Sequence, residues 1–490
     1  MNGLKMNLDF SKKVFKNQFS KLSKELLIPI LVYLCFNIFF VSVLPYLDGN
    51  IDFIKAADLH TGGMAKLATN WPSLHPPIKA VLGSLFMSIF GVNQLSVTWL
   101  GILHGVIGLT GMYFLGKKLF GNKVAFIATL VLAVYPLYNA SGTFALIDFM
   151  VAAYLLAALA AYVYNKKALL ILFLSLGSLT KETFLILPVI IILVELLPSL
   201  KSFLKTKHIS LKSPHLIVGL LIPLFLFWSW TKVLQSYGTG IWSDWIFADT
   251  ASKGGFYTIV NNLVTLGFIN SYAMHEWLET LVLNFNWVLV LTTLSGVLVY
   301  SWTAERAKKV SLLSDFRKYN LRGKTFSIVI LYALIYFLCV LSFQTFTIPR
   351  YGLPFLVLML IFFAKSLSVI LNQFQKLRLP VLIFFVCLFS LMLFRSADPI
   401  SINLWGLENA LGQDVYALNL HGAGTDGLTY NLQFDIIAGA RSKAITDADK
   451  LGLPVFSDGC FWIFADKSNE IKMLDYLNMN RIPRKNLCNN

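Results

Sequence analysis

Charge is what this 490-residue chain has least of. Asp, Glu, Lys and Arg make up 13% of it, where a soluble domain carries about a quarter. That shortage excludes a soluble enzyme, a secreted module and a disordered chain. Cysteine is also scarce, with five residues in all. Cys35, Cys339 and Cys387 lie inside apolar runs and suit core filling, while Cys460 and Cys488 fall in a polar tail where they could pair. No metal-ligand spacing joins any of the five. Acid is scarcer than base, 25 residues against 41, for a net charge of +16. A low-complexity segment and a convincing internal repeat are both missing, and an inverted repeat would have favoured a transporter.

What the chain has is apolar length. Hydrophobic residues make up 57% of it, and the mean hydropathy is +0.67. Apolar runs near twenty residues are continuous rather than alternating, which predicts membrane-spanning helices and not an outer-membrane barrel. Eleven spans are expected, at 26–46, 95–115, 123–142, 145–164, 168–180, 183–199, 215–234, 283–302, 326–344, 352–371 and 380–394. The fifth and sixth are short and read as a hairpin with Thr180-Lys181-Glu182 at its tip. The expected fold is therefore an all-α polytopic membrane protein with a small C-terminal α/β domain. Its parts are a basic N-terminus over 1–25, a transmembrane unit over 26–394, and a soluble domain over 395–490.

The positions of Lys and Arg set the orientation. The N-terminal stretch and alternate short loops hold 24 of the 41 basic residues against only Asp9, Glu25, Glu305 and Asp315. The basic excess is thus a topology signal, and nucleic acid is not the partner it implies. The N-terminus is expected in the cytoplasm, with span one an uncleaved anchor, and eleven crossings place the C-terminus outside. Outside lie the loop 47–94, whose part Pro76–Gly91 reads as an interfacial helix, and the loop 235–282, rich in interface aromatics such as Trp242, Trp245, Tyr257, Tyr272 and Trp277. The tail has strand-like pieces (Val415–Asn419, Pro454–Ser457, Phe461–Ala465) and helix-like ones (Tyr430–Ala440, Asn469–Asn478).

Ionisable groups beside apolar spans are costly and therefore informative. Asp48 and Asp52 follow span one, Asp148 begins span four, Lys181 and Glu182 form the hairpin tip, and Arg350 precedes span ten. All fall on the outer face of the expected topology, as a site for a charged substrate at the lipid–water boundary requires. Each also has a bland reading. Asp52 and Asp58 suit solvated loop positions, Asp148 an N-cap, Lys181 and Glu182 a polar tip, and Arg350 a snorkelling side chain. His75 before Pro76 and Pro77 suits a turn, and Glu195 a membrane boundary.

Several segments carry a resemblance. An acidic residue after the first span, then His75-Pro76-Pro77-Ile78-Lys79 and Leu85-Phe86-Met87-Ser88-Ile89-Phe90-Gly91, resembles the first outer loop of the GT-C membrane glycosyltransferases, of the protein O-mannosyltransferase and aminoarabinose-transferase type. Ala145-Leu146-Ile147-Asp148 and Gly177-Ser178-Leu179-Thr180-Lys181-Glu182-Thr183 fit the next landmarks in order, and Ile348-Pro349-Arg350-Tyr351-Gly352-Leu353-Pro354 resembles a later Arg-Tyr segment. The resemblance is good over 45–200 and thin over 326–356. One departure stands out: the family often has Asp-Glu after span one, and here Asp48 is followed by Gly49, leaving Asp48, Asp52 or Asp58 as the base.

The resemblance implies inverting transfer of a sugar from a polyprenyl-phosphate carrier to a lipid, glycan or protein acceptor, at the outer face of a bacterial plasma membrane. Asp48 is then the first choice for base, with Asp52 as its spatial substitute and Asp148 positioning the acceptor. Lys181 and Arg350 meet the departing phosphate. Glu182, His75 and Tyr351 complete the donor site. Metal dependence varies among such enzymes, so a divalent cation is compatible, although no ligand cluster demands one. Two other classes fit the composition. A flippase or transporter of lipid-linked sugars would line a path at mid-bilayer with charge, and a glycan polymerase or ligase would carry Arg-rich outer loops. The topology has a direct check: a reporter active only outside the cytoplasm is expected to work when fused after residue 394 and to stay silent when inserted at residue 166.

Overall fold

The computed structural model of the chain describes residues 24–38, 48–71, 73–143, 145–206, 214–241, 255–267, 285–306, 321–343 and 349–394, the single residues 269 and 281, and two scraps of strand at 464–465 and 472–473. These residues are overwhelmingly helical, and every apolar run expected to span holds helix. Leu95–Phe120, Pro214–Ser236, Leu321–Val340 and Arg350–Gln373 are each long and apolar enough to cross a membrane. Asn122–Ala133 and Pro136–Thr143 make a fifth candidate if taken as one broken span. Large apolar side chains such as Val218, Phe225, Leu298 and Val386 point outward, as lipid-facing positions do. The chain is a multi-pass membrane protein.

At its centre is α7 (Ile147–Val163), in which every residue from Asp148 to Val163 is buried. A helix apolar all round can only be surrounded. Around it pack α4 (Gln94–Phe120), α8 (Lys167–Ser178), α13 (Leu321–Phe343) and α14 (Leu353–Gln373). Between α4 and α7 the backbones come close: a Cβ built on Gly111 would stand 2.6 Å from the backbone nitrogen of Ala157. Small residues at such crossings let membrane helices approach without a hydrophobic driving force. The third span is broken, with α5 (Asn122–Ala133) and α6 (Pro136–Thr143) meeting at 54°. Proline at the break cannot supply an amide hydrogen. The Asn139 side-chain amide instead donates to the carbonyls of Ala133 (2.8 Å) and Tyr135 (3.1 Å).

The first outer loop differs most from expectation. Much of it is α2 (Asp48–Asn70), a helix broken at Gly63, whose φ of +66° suits glycine. The interleaved Asp and Lys residues hid its apolar face, which packs on α3 (Ile78–Phe90). That second helix is the expected interfacial one. It starts after Pro77, a position where a missing amide hydrogen costs nothing, and stops at Gly91 with φ +82°. Ser73–Leu74 pairs in parallel with Gly240–Ile241, tying the loop to the end of α10 (Pro214–Ser236).

One smaller reading is corrected. Cys35 and Cys387 are exposed and Cys339 is half-buried, so none of them fills the core; on lipid-facing positions a thiol simply adds apolar surface. Glu195, read as a boundary residue, also accepts from Tyr162 and from Lys324 (2.7 Å) and so clamps three helices together. Trp242, Trp245, Tyr272 and Trp277, Cys460 and Cys488, and nearly all of the tail 395–490 lie outside the described residues; within the tail, Phe464–Ala465 pairs antiparallel with Lys472–Met473.

Gly111 supplies a test of the α4–α7 crossing. Gly111→Val should destabilise the protein by about 1–3 kcal/mol, the usual cost of overpacking. The check is a thermal unfolding midpoint in detergent, and an unchanged midpoint would mean the two backbones are not held this close.

Candidate functional site

The charged residues gather where helices end. Asp148 is the second residue of α7, Lys181 ends the turn after α8, and Arg350 sits in a single 3-10 turn, Pro349–Gly352, ahead of α14. Leu146, not Asp148, is the N-cap of α7, and no side chain caps it. The Asp148 carboxylate turns instead to two cations. Lys181 Nζ lies 2.6 Å from its Oδ1, and Arg350 Nε 3.7 Å from its Oδ2. All three side chains are largely buried. Tyr351 lies against both cations, with its ring centre 4.5 Å from Lys181 Nζ and 5.4 Å from Arg350 Cζ. The 3-10 turn is anchored from α13, where the Tyr336 hydroxyl donates to the Tyr351 carbonyl (2.8 Å).

Beside this group stands a second pair, His75 Nδ1 and Glu182 Oε2 at 3.2 Å. Two segments far apart in sequence meet here, and the Ile78 amide donating to the Leu179 carbonyl (2.9 Å) fixes their register. Burial pushes the Glu182 carboxyl up, but His75 and Lys181 outweigh it and hold it down at about 2. An ionised carboxylate only accepts, so His75 carries a hydrogen on Nδ1 and donates it. For Lys181 burial favours the neutral amine, yet Asp148, Tyr351 and Glu182 overcome this and keep it above the ordinary lysine value. At neutral pH the cluster therefore holds fixed charges of both signs.

A third pair was not anticipated. Asp52 on α2 meets Lys79 on α3 at 2.6 Å, with both side chains under a tenth exposed. Burial raises the Asp52 carboxyl, and Lys79, Lys55 and His75 together pull it below the usual range. The solvated-loop reading of Asp52 thus fails, and Lys79 is a member of the cluster that sequence reasoning passed over. Its signal was present, because Lys79 follows His75 by four residues in a segment already singled out. Asp58 is also buried, accepting from Asn70 (2.9 Å) and Trp71 (3.0 Å) with Lys66 at 3.5 Å. It closes α2 across its break at Gly63, so it is no solvated loop residue either. Asp48 opens α2, four residues before Asp52; its side chain lies outside the described residues.

The structure therefore brings together His75, Glu182, Lys181, Asp148, Arg350 and Tyr351, with Asp52 and Lys79 adjoining. The result is a largely buried cluster of paired charges at one end of the bundle, built from five separate segments. Such a cluster can hold an anion against Lys181 and Arg350 while its carboxylates orient hydroxyl groups. Among the described residues no three His, Cys, Asp or Glu side chains gather as ligands for a metal ion.

Comparison with known proteins bears on this site. Residues 74–231, about a third of the chain, match the family described as dolichyl-phosphate-mannose-protein mannosyltransferase. The matched segment contains His75, Lys79, Asp148, Lys181 and Glu182, and it bears out the resemblance to GT-C membrane glycosyltransferases. No curated protein matches the chain. Among solved structures, ArnT from Cupriavidus metallidurans bound to undecaprenyl phosphate is similar, at 15% identity and a TM-score of 0.48, over 71% of this chain and 60% of that one. The Archaeoglobus fulgidus oligosaccharyltransferase AglB, in complex with an inhibitory peptide and a dolichol-phosphate, is similar at 15% identity and a TM-score of 0.44, over 74% of this chain and 51% of that one. The chain thus spans between half and three fifths of the length of these proteins.

The Asp52–Lys79 pair yields a test. Lys79→Met strands a buried carboxylate and should cost about 3–5 kcal/mol of stability. Adding Asp52→Leu should recover most of that loss in the same unfolding assay. Equal instability of the single and double variants would mean that the two residues do not act as a pair.

Proposed function

We propose that the chain is a glycosyltransferase moving a sugar from a polyprenyl-phosphate-linked donor to a lipid, glycan or protein acceptor. The observation that carries this is the buried Lys181–Asp148–Arg350 group, two of whose members lie in the segment matching the mannosyltransferase family. In the proposed setting the protein lies in a bacterial plasma membrane, crosses it eleven times from a cytoplasmic N-terminus, and works at its outer face. Residues 395–490 form an extracytoplasmic α/β domain there.

The acceptor oxygen bonds to the anomeric carbon as the bond from that carbon to the phosphate oxygen breaks. The bonding pair leaves with the polyprenyl phosphate, and the acceptor proton passes to a carboxylate. One displacement of this kind inverts the anomeric centre. Lys181 and Arg350 meet the charge gathering on the phosphate, and Asp148 aims both at it. The His75–Glu182 pair and Tyr351 line the donor sugar. Asp48 is the base, on the ground that it directly follows span one and precedes the His75-Pro76-Pro77 segment; Asp52 is engaged by Lys79, and Asp58 by Asn70 and Trp71. The spans beside these loops hold the prenyl tail, so binding energy is drawn away from the reacting centre. The gathering of charge at helix ends, instead of along a mid-bilayer path, weighs against a flippase.

The test is donor turnover by purified protein with radiolabelled polyprenyl-phosphate sugars and an envelope extract as acceptor. Asp48→Asn is expected to lower turnover by roughly 10²–10⁴-fold, the range for a general base, with expression and membrane insertion intact. Lys181→Ala and Arg350→Ala should instead weaken use of the donor. Full activity in Asp48→Asn with loss in Asp58→Asn would move the base to Asp58, and donor binding without consumption by the wild type would sink the proposal.

A further inference from the structure

At the end of the bundle away from the charged cluster, α4, α7 and α8 enclose a groove of about 390 Å³. Its floor is Gly111, Ala157, Ala160 and Ala161, and Phe114 and Phe173 wall it. Asp148 lies 16 residues from Tyr164 on the same rod, about 24 Å at the helical rise, so the groove is separate from the proposed donor site. Its apolar length follows Val106 to Phe114 along α4, roughly 12 Å, which is far more than a polar headgroup could use. The mouth is different in kind. Lys166 lines it and is exposed, and Lys118 lies over the ring of Tyr164, a lining residue, at 5.4 Å. Tyr164 is itself braced edge-on by Phe114 at 5.7 Å.

An apolar slot capped by lysines and a tyrosine at the membrane boundary has the form of a lipid, chain inward and headgroup at the rim. The rim's charge selects the headgroup. Two lysines at the mouth draw an anionic phosphate to it. We propose that this groove binds one acyl chain of an anionic phospholipid, with its phosphate against Lys166 and Lys118. The proposal rests on the chain being a membrane protein and is independent of the glycosyl-transfer reading.

The experiment uses the full chain in nanodiscs with photoactivatable phosphatidylglycerol carrying a diazirine on its acyl chain, and the phosphatidylcholine analogue beside it. Phosphatidylglycerol is expected to label peptides spanning 106–114 and 157–173 about tenfold more than phosphatidylcholine. Lys118→Glu with Lys166→Glu should bring it down to the phosphatidylcholine level. Leu169→Trp, which fills the rim without changing charge, should reduce labelling by both lipids. Equal labelling by the two lipids, or labelling indifferent to the lysine changes, would overturn the proposal. So would label that undecaprenyl phosphate displaces and excess phosphatidylglycerol does not, because the groove would then hold the tail of the donor.

Discussion

The Asp148 carboxylate is shared between Lys181 and Arg350, and the site depends on that sharing. A carboxylate buried at the start of a central helix is tolerable only with its charge matched. The match comes from two turns that have no other reason to be neighbours, one after α8 and one before α14. Because the helix start favours negative charge as well, the same residue serves helix and site. Tyr336 adds to this from a fourth direction by holding the backbone of the Arg350 turn. The cations are thus aimed by the fold rather than by a substrate, which is what an electrostatic site needs if it is not to reorganise during reaction.

The first outer segment repeats the device with different residues. Asp52 and Lys79 join α2 to α3, and His75 and Glu182 join the segment ahead of α3 to the turn that carries Lys181. Each pair crosses between elements, and each of these carboxylates meets a cation or a hydrogen-bond donor. A patch of six or more ionisable side chains can therefore be buried at a helix-bundle end at modest net charge. Removing one member leaves its partner uncompensated, so such a cluster behaves as a unit.

Much of this was legible in the sequence, and what escaped did so for definable reasons. The positions of the helices followed from apolar run length, because a backbone in lipid has few ways to satisfy its hydrogen bonds. Asp148, Lys181 and Arg350 stood out as expensive charges next to apolar runs. Helix α2 did not, because its buried face is built from paired charges as well as apolar groups, and periodicity counts only the latter. Lys79 was hidden for the same reason: an amphipathic reading of α3 puts a lysine on the wet side, and only the presence of Asp52 turns it inward. The pairing of His75 with Glu182 spans more than a hundred residues and no local pattern could announce it. The pairing of Glu195 with Lys324, from a distant helix, was equally invisible to local pattern.

Burial of α7 along nearly its whole length carries a mechanical meaning. With 17 residues it is about 25 Å long, shorter than the ~30 Å hydrocarbon core of a bilayer. A helix in contact with lipid would have to thin the bilayer or draw polar groups inward to make up that difference. Wrapped by its neighbours except where the groove opens onto its C-terminal half, α7 is largely shielded from such mismatch. Changes in membrane thickness then act chiefly on the tilt of the outer helices, and the rod that carries Asp148 stays in register while its surroundings adjust.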